Sequence, residues 1–277
     1  MSLPVIGQGG WQLGDDPAKA ADEIAALRRG LELGMTLIDT AEMYGDGRSE
    51  ELIARAVAGL PRQSYQLCSK LLPQNAGRNR SFRSCEESLR RLGTDYLDIY
   101  LLHWRGAVPL EETVYCMEEL VRQGKILRWG VSNFDTPDML ELFSLPGGGN
   151  CAFNQLLYHI GSRGIEYDLL PWCAEHEVTV MAYCPLAQNG RLRPYGRSVY
   201  DEELLSRLAE KYGCSKQQLL LAFTLRRRGV LPIPKSSSPS HTEQNAAAAS
   251  LCVEAEDWEL LDGVFWPPSH KMHLDIE

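Results

Sequence analysis

The sequence predicts an α/β chain closed into a (β/α)8 TIM barrel, a parallel eight-stranded barrel in a single domain over 1–277 with a short C-terminal tail. Three observations predict it. Eight short apolar runs alternate with amphipathic stretches along the chain, the pattern of a parallel sheet with helices packed outside. The 277 residues are long for one ordinary domain but common for one barrel. The competing doubly wound sheet carries Gly-x-Gly-x-x-Gly between its first strand and helix, and Gly7-Gln8-Gly9-Gly10-Trp11 does not fit that spacing.

In chain order, strands are expected at Val5–Ile6, Met35–Asp39, Tyr65–Ser69, Leu97–Leu102, Leu127–Val131, Ala152–Asn154, Val178–Ala182 and Leu231–Ile233. Each is short and apolar enough for a strand buried on both faces. Helical periodicity is expected between them at Ala18–Leu33, Ser49–Ala58, Ser81–Leu92, Leu110–Arg122 and Asp201–Tyr212. Asp201, followed by Glu202 and Glu203, has the chemistry of a helix start. Gly93 and Gly213 fall where helix ends favour a left-handed residue.

Composition narrows the function classes. The formal net charge of -9 argues against a phosphate-backbone partner and against docking on anionic lipid. No apolar run approaches the roughly 20 residues of a membrane helix. The opening Met1-Ser2-Leu3-Pro4 lacks the basic-then-apolar pattern of a signal peptide, so a cytoplasmic location is expected. The eight cysteines are scattered without a Cys-x-x-Cys pair, which points to reduced thiols and to no metal site.

A barrel of this kind places its active site at the C-terminal strand ends. Asp39 closes the second predicted strand and Tyr44 follows it; Lys70 closes the third and His103 the fourth. A free phenol, with a pKa near ~10, is a poor acid at neutral pH. A neighbouring ammonium favours the phenolate, so Lys70 is expected to lower the Tyr44 pKa, with Asp39 holding Lys70. His103 is placed to donate to a substrate carbonyl or to the tyrosine oxygen. The four together predict a phenol tuned to protonate a developing alkoxide.

At these residues the chain resembles the aldo-keto reductase family, and compact microbial members of it that reduce small aldehydes. The resemblance is carried by Leu37-Ile38-Asp39-Thr40-Ala41-Glu42-Met43-Tyr44-Gly45 with Ser49-Glu50, by Ser69-Lys70, and by Leu89 to Asp98 ahead of His103-Trp104. It continues through Gly130 to Phe134, Asn154-Gln155, Ala182 to Leu186 and Ile233 to Ser236. It implies reduction of aldehydes and ketones, including dicarbonyls such as methylglyoxal, by hydride from NADPH without a metal. Tyr44 is then the general acid, tuned by Asp39 and Lys70, with His103 orienting the carbonyl. Ser132, Asn133 and Gln155 would hold the carboxamide, Tyr183 would stack on the nicotinamide and Leu186 would lie near the pyrophosphate. Lys235, Ser236, Ser238 and His241 would take the 2′-phosphate, Asn245 the adenine side, and Trp11 and Trp104 the substrate.

Departures from the family pattern sharpen these expectations. His241 stands where many relatives carry Arg, and Gln244 where many carry Glu, which leaves NADH as the alternative cofactor. Gly10 replaces a frequent Thr, Cys184 a frequent Ser, and Arg105 a frequent Pro, the last bringing a charge near the loop edge, to touch either substrate or only solvent. The chain begins almost at its first strand, with little room for a bottom-plugging hairpin. Its short tail is expected to leave the pocket more open. The expected partner is a small carbonyl substrate, and the expected state is a monomer without nucleic-acid or membrane partners. A cofactor-binding sensor or partner-binding module is the alternative from another class, and an unrelated barrel isomerase or lyase a third.

Overall fold

The computed structural model describes residues 2–192 and 197–277. Its main sheet has eight parallel strands paired in chain order. They are β1 Gln8–Gly9, β2 Leu37–Asp39, β3 Gln66–Leu71, β4 Leu97–Leu102, β5 Ile126–Ser132, β6 Phe153–Leu157, β7 Thr179–Tyr183 and β8 Val230–Pro232. The ring closes through Gly7 N–H on the Pro232 carbonyl at 2.9 Å and Gly9 N–H on the Pro234 carbonyl at 3.0 Å. A bridge from Gly9 to Lys235 extends that seam. A Cβ on Gly9 would lie 2.7 Å from the Ile233 carbonyl oxygen, so this crossing needs glycine.

The first strand therefore differs from expectation. Val5–Ile6 is not a strand; β1 starts at Gln8, and Val5 is 61% exposed. The apolar pair attracted the sequence reading, whereas the pairing is made by a short polar and glycine segment. The other seven predicted strands fall on β2 to β8 with ends displaced by no more than a few residues, β6 extending to Leu157.

The pleat then explains the barrel's interior. Side chains two apart on a strand share a face. Leu37, Cys68, Ile99, Leu101, Phe153 and Met181 form one buried cluster inside the ring. One step further along the same face come Asp39, Lys70, His103, Gln155 and Tyr183. The apolar layer is thus the floor beneath the polar residues at the strand ends. Leu3 packs on this cluster ahead of β1, Gln66 Nε2 donates to the Ser2 carbonyl at 3.2 Å, and the Arg128 guanidinium lies 4.8 Å from the Phe153 ring centroid. These groups fill the bottom of the barrel.

Outside the ring the larger core joins strands to helices such as Ala20–Glu32, Arg48–Val57, Ser81–Leu92 and Leu110–Arg122. Ala20–Glu32 starts later than expected, behind a 3₁₀ turn over Pro17–Lys19 capped by the Asp16 side chain. The helix expected from Asp201 is Glu203–Lys211, capped by Glu202, while Asp201 ends the preceding turn. Gly93 caps its helix at φ 65°, and Gly213 also takes positive φ. All eight cysteines carry free thiols. Among the described residues no helix is long and apolar enough to cross a membrane.

Candidate active site

Strand register brings the predicted residues to one level. Asp39 pairs with Cys68, Lys70 with Leu101, Leu102 with Val131, and Ser132 with Gln155. The ends of β2 to β6 are therefore aligned over the apolar floor.

Lys70 is fully buried. Its ammonium donates to Asp39 Oδ2 at 2.8 Å, to the Thr40 carbonyl at 2.7 Å and to the Tyr44 hydroxyl at 3.2 Å. An ammonium has three donors and all three are engaged. Asp39 Oδ1 accepts from Gln155 Nε2 at 2.8 Å, so the carboxylate is held on both oxygens. Burial alone would drive the Lys70 pKa down; Asp39 first, with Tyr44 and Cys68, outweighs it and the net direction is upward. Lys70 stays a cation.

Tyr44 does not follow the sequence expectation. Burial raises its pKa more than Lys70 lowers it, and the net shift is upward. The phenol is therefore neutral at physiological pH. Because its oxygen accepts from Lys70, its own proton is left to be donated outward. His103 is also neutral: burial, then the Lys70 charge, pushes its pKa down to about 3. Its Nδ1 is buried without a partner among the described residues.

Aromatic rings frame these groups. Trp11 meets Tyr44 edge-on at 4.8 Å, the Tyr44 and His103 rings stand 5.8 Å apart, and Trp104 lies 4.9 Å from His103. Trp11 is 51% and Trp104 37% exposed, which leaves apolar faces open beside the phenol. A Cβ on Gly10 would lie 2.6 Å from the Asp39 carbonyl oxygen. The backbone approach there requires glycine.

The second predicted group lies on β5 to β7. Ser132 Oγ donates to the Gln155 carbonyl at 2.9 Å, and Asn133 Oδ1 accepts from the Tyr183 hydroxyl at 3.0 Å. Asn133 holds φ at 59°, a left-handed conformation that Asn tolerates better than most residues. Leu186 is half-buried just beyond β7.

The third group surrounds the start of the helix Pro239–Ala247. Ser238 is the N-cap residue, yet its side chain makes no capping bond to the helix; it lies 2.9 Å from the Ser240 hydroxyl. Ser236 Oγ donates to the Ser238 carbonyl at 2.8 Å, and the Lys235 ammonium donates to the Ser237 hydroxyl. Lys235 and His241 are exposed, and Asn245 is buried.

Several contributors escaped the sequence reading. Thr40 supplies a carbonyl to Lys70, and its hydroxyl donates to Ser49 at 2.9 Å. Glu50, fully buried, accepts from Ser69 Oγ at 2.6 Å and pairs with Arg91 at 2.5 Å. Thr40 lies between Asp39 and Tyr44, and Glu50 is a carboxylate on the buried face of the amphipathic helix Arg48–Val57, the signal that could have found it. Glu42 accepts from Leu72 N–H at 2.6 Å and from Ser84 Oγ at 2.6 Å, tying the loop after β2 to the loop and helix after β3.

Two edge features also differ from expectation. Arg105 is not a loose charge: it pairs with Asp138 at 2.6 Å and Glu141 at 2.8 Å. The tail does not leave the mouth bare. Lys271 pairs with Asp135 at 2.5 Å and Asp168 at 2.8 Å, Asp275 accepts from Ser162 Oγ at 2.6 Å, and Glu277 N–H donates to the Tyr183 hydroxyl at 3.3 Å. The short tail is laid along the loops after β5 and β6 toward β7.

Comparison with known proteins bears on the family and the fold. The model of the aldo/keto reductase family matches residues 5–265. Methylglyoxal reductase YeaE of Escherichia coli (strain K12) is 50% identical over 276 residues, covering 100% of this chain and 96% of that protein. Glyoxal reductase of Bacillus subtilis (strain 168) is 30% identical, covering 86% of this chain and 82% of its own length. A crystal structure of an aldo-keto reductase from Klebsiella pneumoniae in complex with NADPH superimposes with a TM-score of 0.96. It shares 52% identity over 99% of this chain and 95% of that one.

Proposed function

We propose, on the premise that this chain belongs to the aldo/keto reductase family, that it reduces small aldehydes and dicarbonyls such as methylglyoxal, using NADPH, with Tyr44 as proton donor. The observation that carries the proposal is a fully buried ammonium touching both the Asp39 carboxylate and the Tyr44 hydroxyl beside a neutral His103. Two relatives bear the names of methylglyoxal and glyoxal reductases, which supports the substrate class. We take residues 1–277 as one domain.

The residues suit the cofactor chemically. A primary carboxamide needs acceptors for its N–H groups and a donor for its oxygen. Ser132 Oγ and Gln155 Oε1 offer acceptors, since Ser132 uses its proton on the Gln155 carbonyl and Gln155 uses its amide N–H on Asp39. Asn133 Nδ2 offers the donor, holding only a long 3.5 Å contact to the His103 carbonyl. Tyr183 offers a ring face. At the helix Pro239–Ala247 the first-turn N–H groups are left without a Ser238 side-chain cap, and with Lys235, Ser236 and His241 they make an anion site fit for a 2′-phosphate. Asn245 and Leu186 flank the adenine and pyrophosphate. His241 grips phosphate less firmly than Arg would, so NADH is the competitor to test by comparing the two dissociation constants.

When bound, NADPH supplies the hydride. His103, neutral, donates from Nε2 to the substrate oxygen and orients the carbonyl. Tyr44 gives its proton to that oxygen as negative charge develops there, and Lys70, held by Asp39, stabilises the phenolate left behind. Trp11 and Trp104 wall the substrate. We take the protein as a cytoplasmic monomer acting on a small molecule; its formal net charge of -9 argues against nucleic-acid and anionic-membrane partners.

The test is the loss of NADPH absorbance with methylglyoxal. Tyr44→Phe should lower turnover by about 10²-fold or more, the scale of general acid catalysis, with cofactor affinity kept. Undiminished turnover in that variant would remove Tyr44 from the role.

A further inference from the structure

We infer that the site selects uncharged carbonyl compounds over carboxylate-bearing ones, and that Asp138 and Glu141 enforce the choice by holding Arg105 away from the substrate. The inference rests on the reductase reading and narrows its substrate class.

Arg105 follows His103 and Trp104 directly in the loop after β4, one residue beyond the Trp104 ring that lies 4.9 Å from His103. A free guanidinium there would be a carboxylate receptor, since its planar fork matches two oxygens. It is not free. One terminal nitrogen is 2.6 Å from Asp138 and the other 2.8 Å from Glu141, both on the helix Thr136–Ser144. The pattern repeats along this side of the mouth. Lys271 of the tail lies between Asp135 and Asp168. Arg163, in the loop after β6, is buried, and its partners Glu166 and Asp262 also hold Arg227 and Arg226. Thus Arg105 and Lys271 are each matched by two carboxylates, while Arg163 is locked in an ion-pair network with Arg226 and Arg227. Deeper in, Lys70 has all three donors engaged. At Arg105 and Lys271 four carboxylates stand against two cations, and that local surplus repels a carboxylate substrate and offers no partner for its desolvated oxygens.

The experiment compares methyl 4-formylbenzoate with 4-formylbenzoate, two aromatic aldehydes of similar shape that differ in charge. With NADPH saturating, kcat/KM for the ester should exceed that for the acid by about tenfold or more at low salt. The gap should narrow as salt rises, because the screening length falls from about 30 Å at 0.01 M to about 3 Å at 1 M. Glu141→Gln, which leaves the helix cap intact, should raise kcat/KM for the acid by about threefold, the scale of losing a partly exposed ion pair, with the ester unchanged. Asp138→Asn with Glu141→Gln should raise it further, and Arg105→Met added to that pair should cancel the gain. Equal kcat/KM for ester and acid in the unaltered protein overturns the inference, as does an unchanged ratio in Glu141→Gln. If neither aldehyde is reduced while methylglyoxal is, this inference falls alone; if methylglyoxal is not reduced either, the reductase reading falls and takes the inference with it; if both aldehydes are reduced equally, only the charge selection falls.

Discussion

Lys70 is the residue on which the site depends, and its role divides into two measurable parts. It is fully buried against Asp39, and removing one member of such a pair strands the other charge. Lys70→Met should therefore cost about 3–5 kcal/mol of stability, read from urea unfolding, and should abolish turnover. Adding Asp39→Asn removes the stranded carboxylate and should recover part of that stability while leaving turnover lost. Recovery of both together, or of neither, would contradict the division into a packing role and a chemical one. Asp39, Tyr44, Lys70 and His103 were legible in the sequence because barrel geometry tells where to look and chemistry tells what to look for. The direction of the Tyr44 shift was not legible. The sequence names the neighbouring charge, whereas the outcome depends on how deeply the phenol is buried, and burial is the stronger effect here.

Among the elements, what was legible followed hydrophobic periodicity. Strands β2 to β8 announced themselves as apolar runs, and the period of two then put Asp39, Lys70 and Gln155 above Leu37, Cys68 and Phe153 on one face. β1 carries almost no apolar signal, because its pairing comes from the backbone of Gln8 and Gly9 and is recognisable only once β8 is beside it. The same applies to Glu42, whose three partners lie 30 to 42 residues away along the chain. The glycine at the seam gives this a test. Gly9→Ala places a methyl carbon against the Ile233 carbonyl, and backbone must shift to admit it. Overpacking of this kind costs about 1–3 kcal/mol. Because Lys235 lies across that same seam, the variant should weaken NADPH binding more than it weakens catalysis at saturating cofactor. A stable variant with unchanged NADPH affinity would mean that the seam yields without cost.

At the scale of the whole molecule, buried histidines set the response to mild acid. His103 titrates at about 3 and His159 at about 4, both lowered first by burial; Lys70 lowers His103 further, and Asp275 partly opposes the shift in His159. In the unfolded chain each titrates near 6.5. Between these values the unfolded state binds more protons than the native one, so stability falls as pH drops below about 6.5 and continues to fall to the folded pKa. At pH 5 this amounts to about 2 kcal/mol per histidine, at about 1.4 kcal/mol per pH unit. Two such groups remove a substantial share of the 5–15 kcal/mol typical of a folded domain. Carboxylates titrate mostly below this window, which makes the range from pH 7 to pH 5 diagnostic of the histidines. His159 is not among the groups assigned to the chemistry, and its Nδ1 accepts the Gly161 N–H at 3.1 Å, a bond that a glutamine carbonyl can replace. His159→Gln should therefore lose roughly half as much stability as the unaltered protein between pH 7 and pH 5, measured as the shift in urea midpoint, with turnover at pH 7 retained. The same midpoint shift in both proteins would place the acid sensitivity elsewhere, in the ion pairs that join the tail to the loops after β5 and β6.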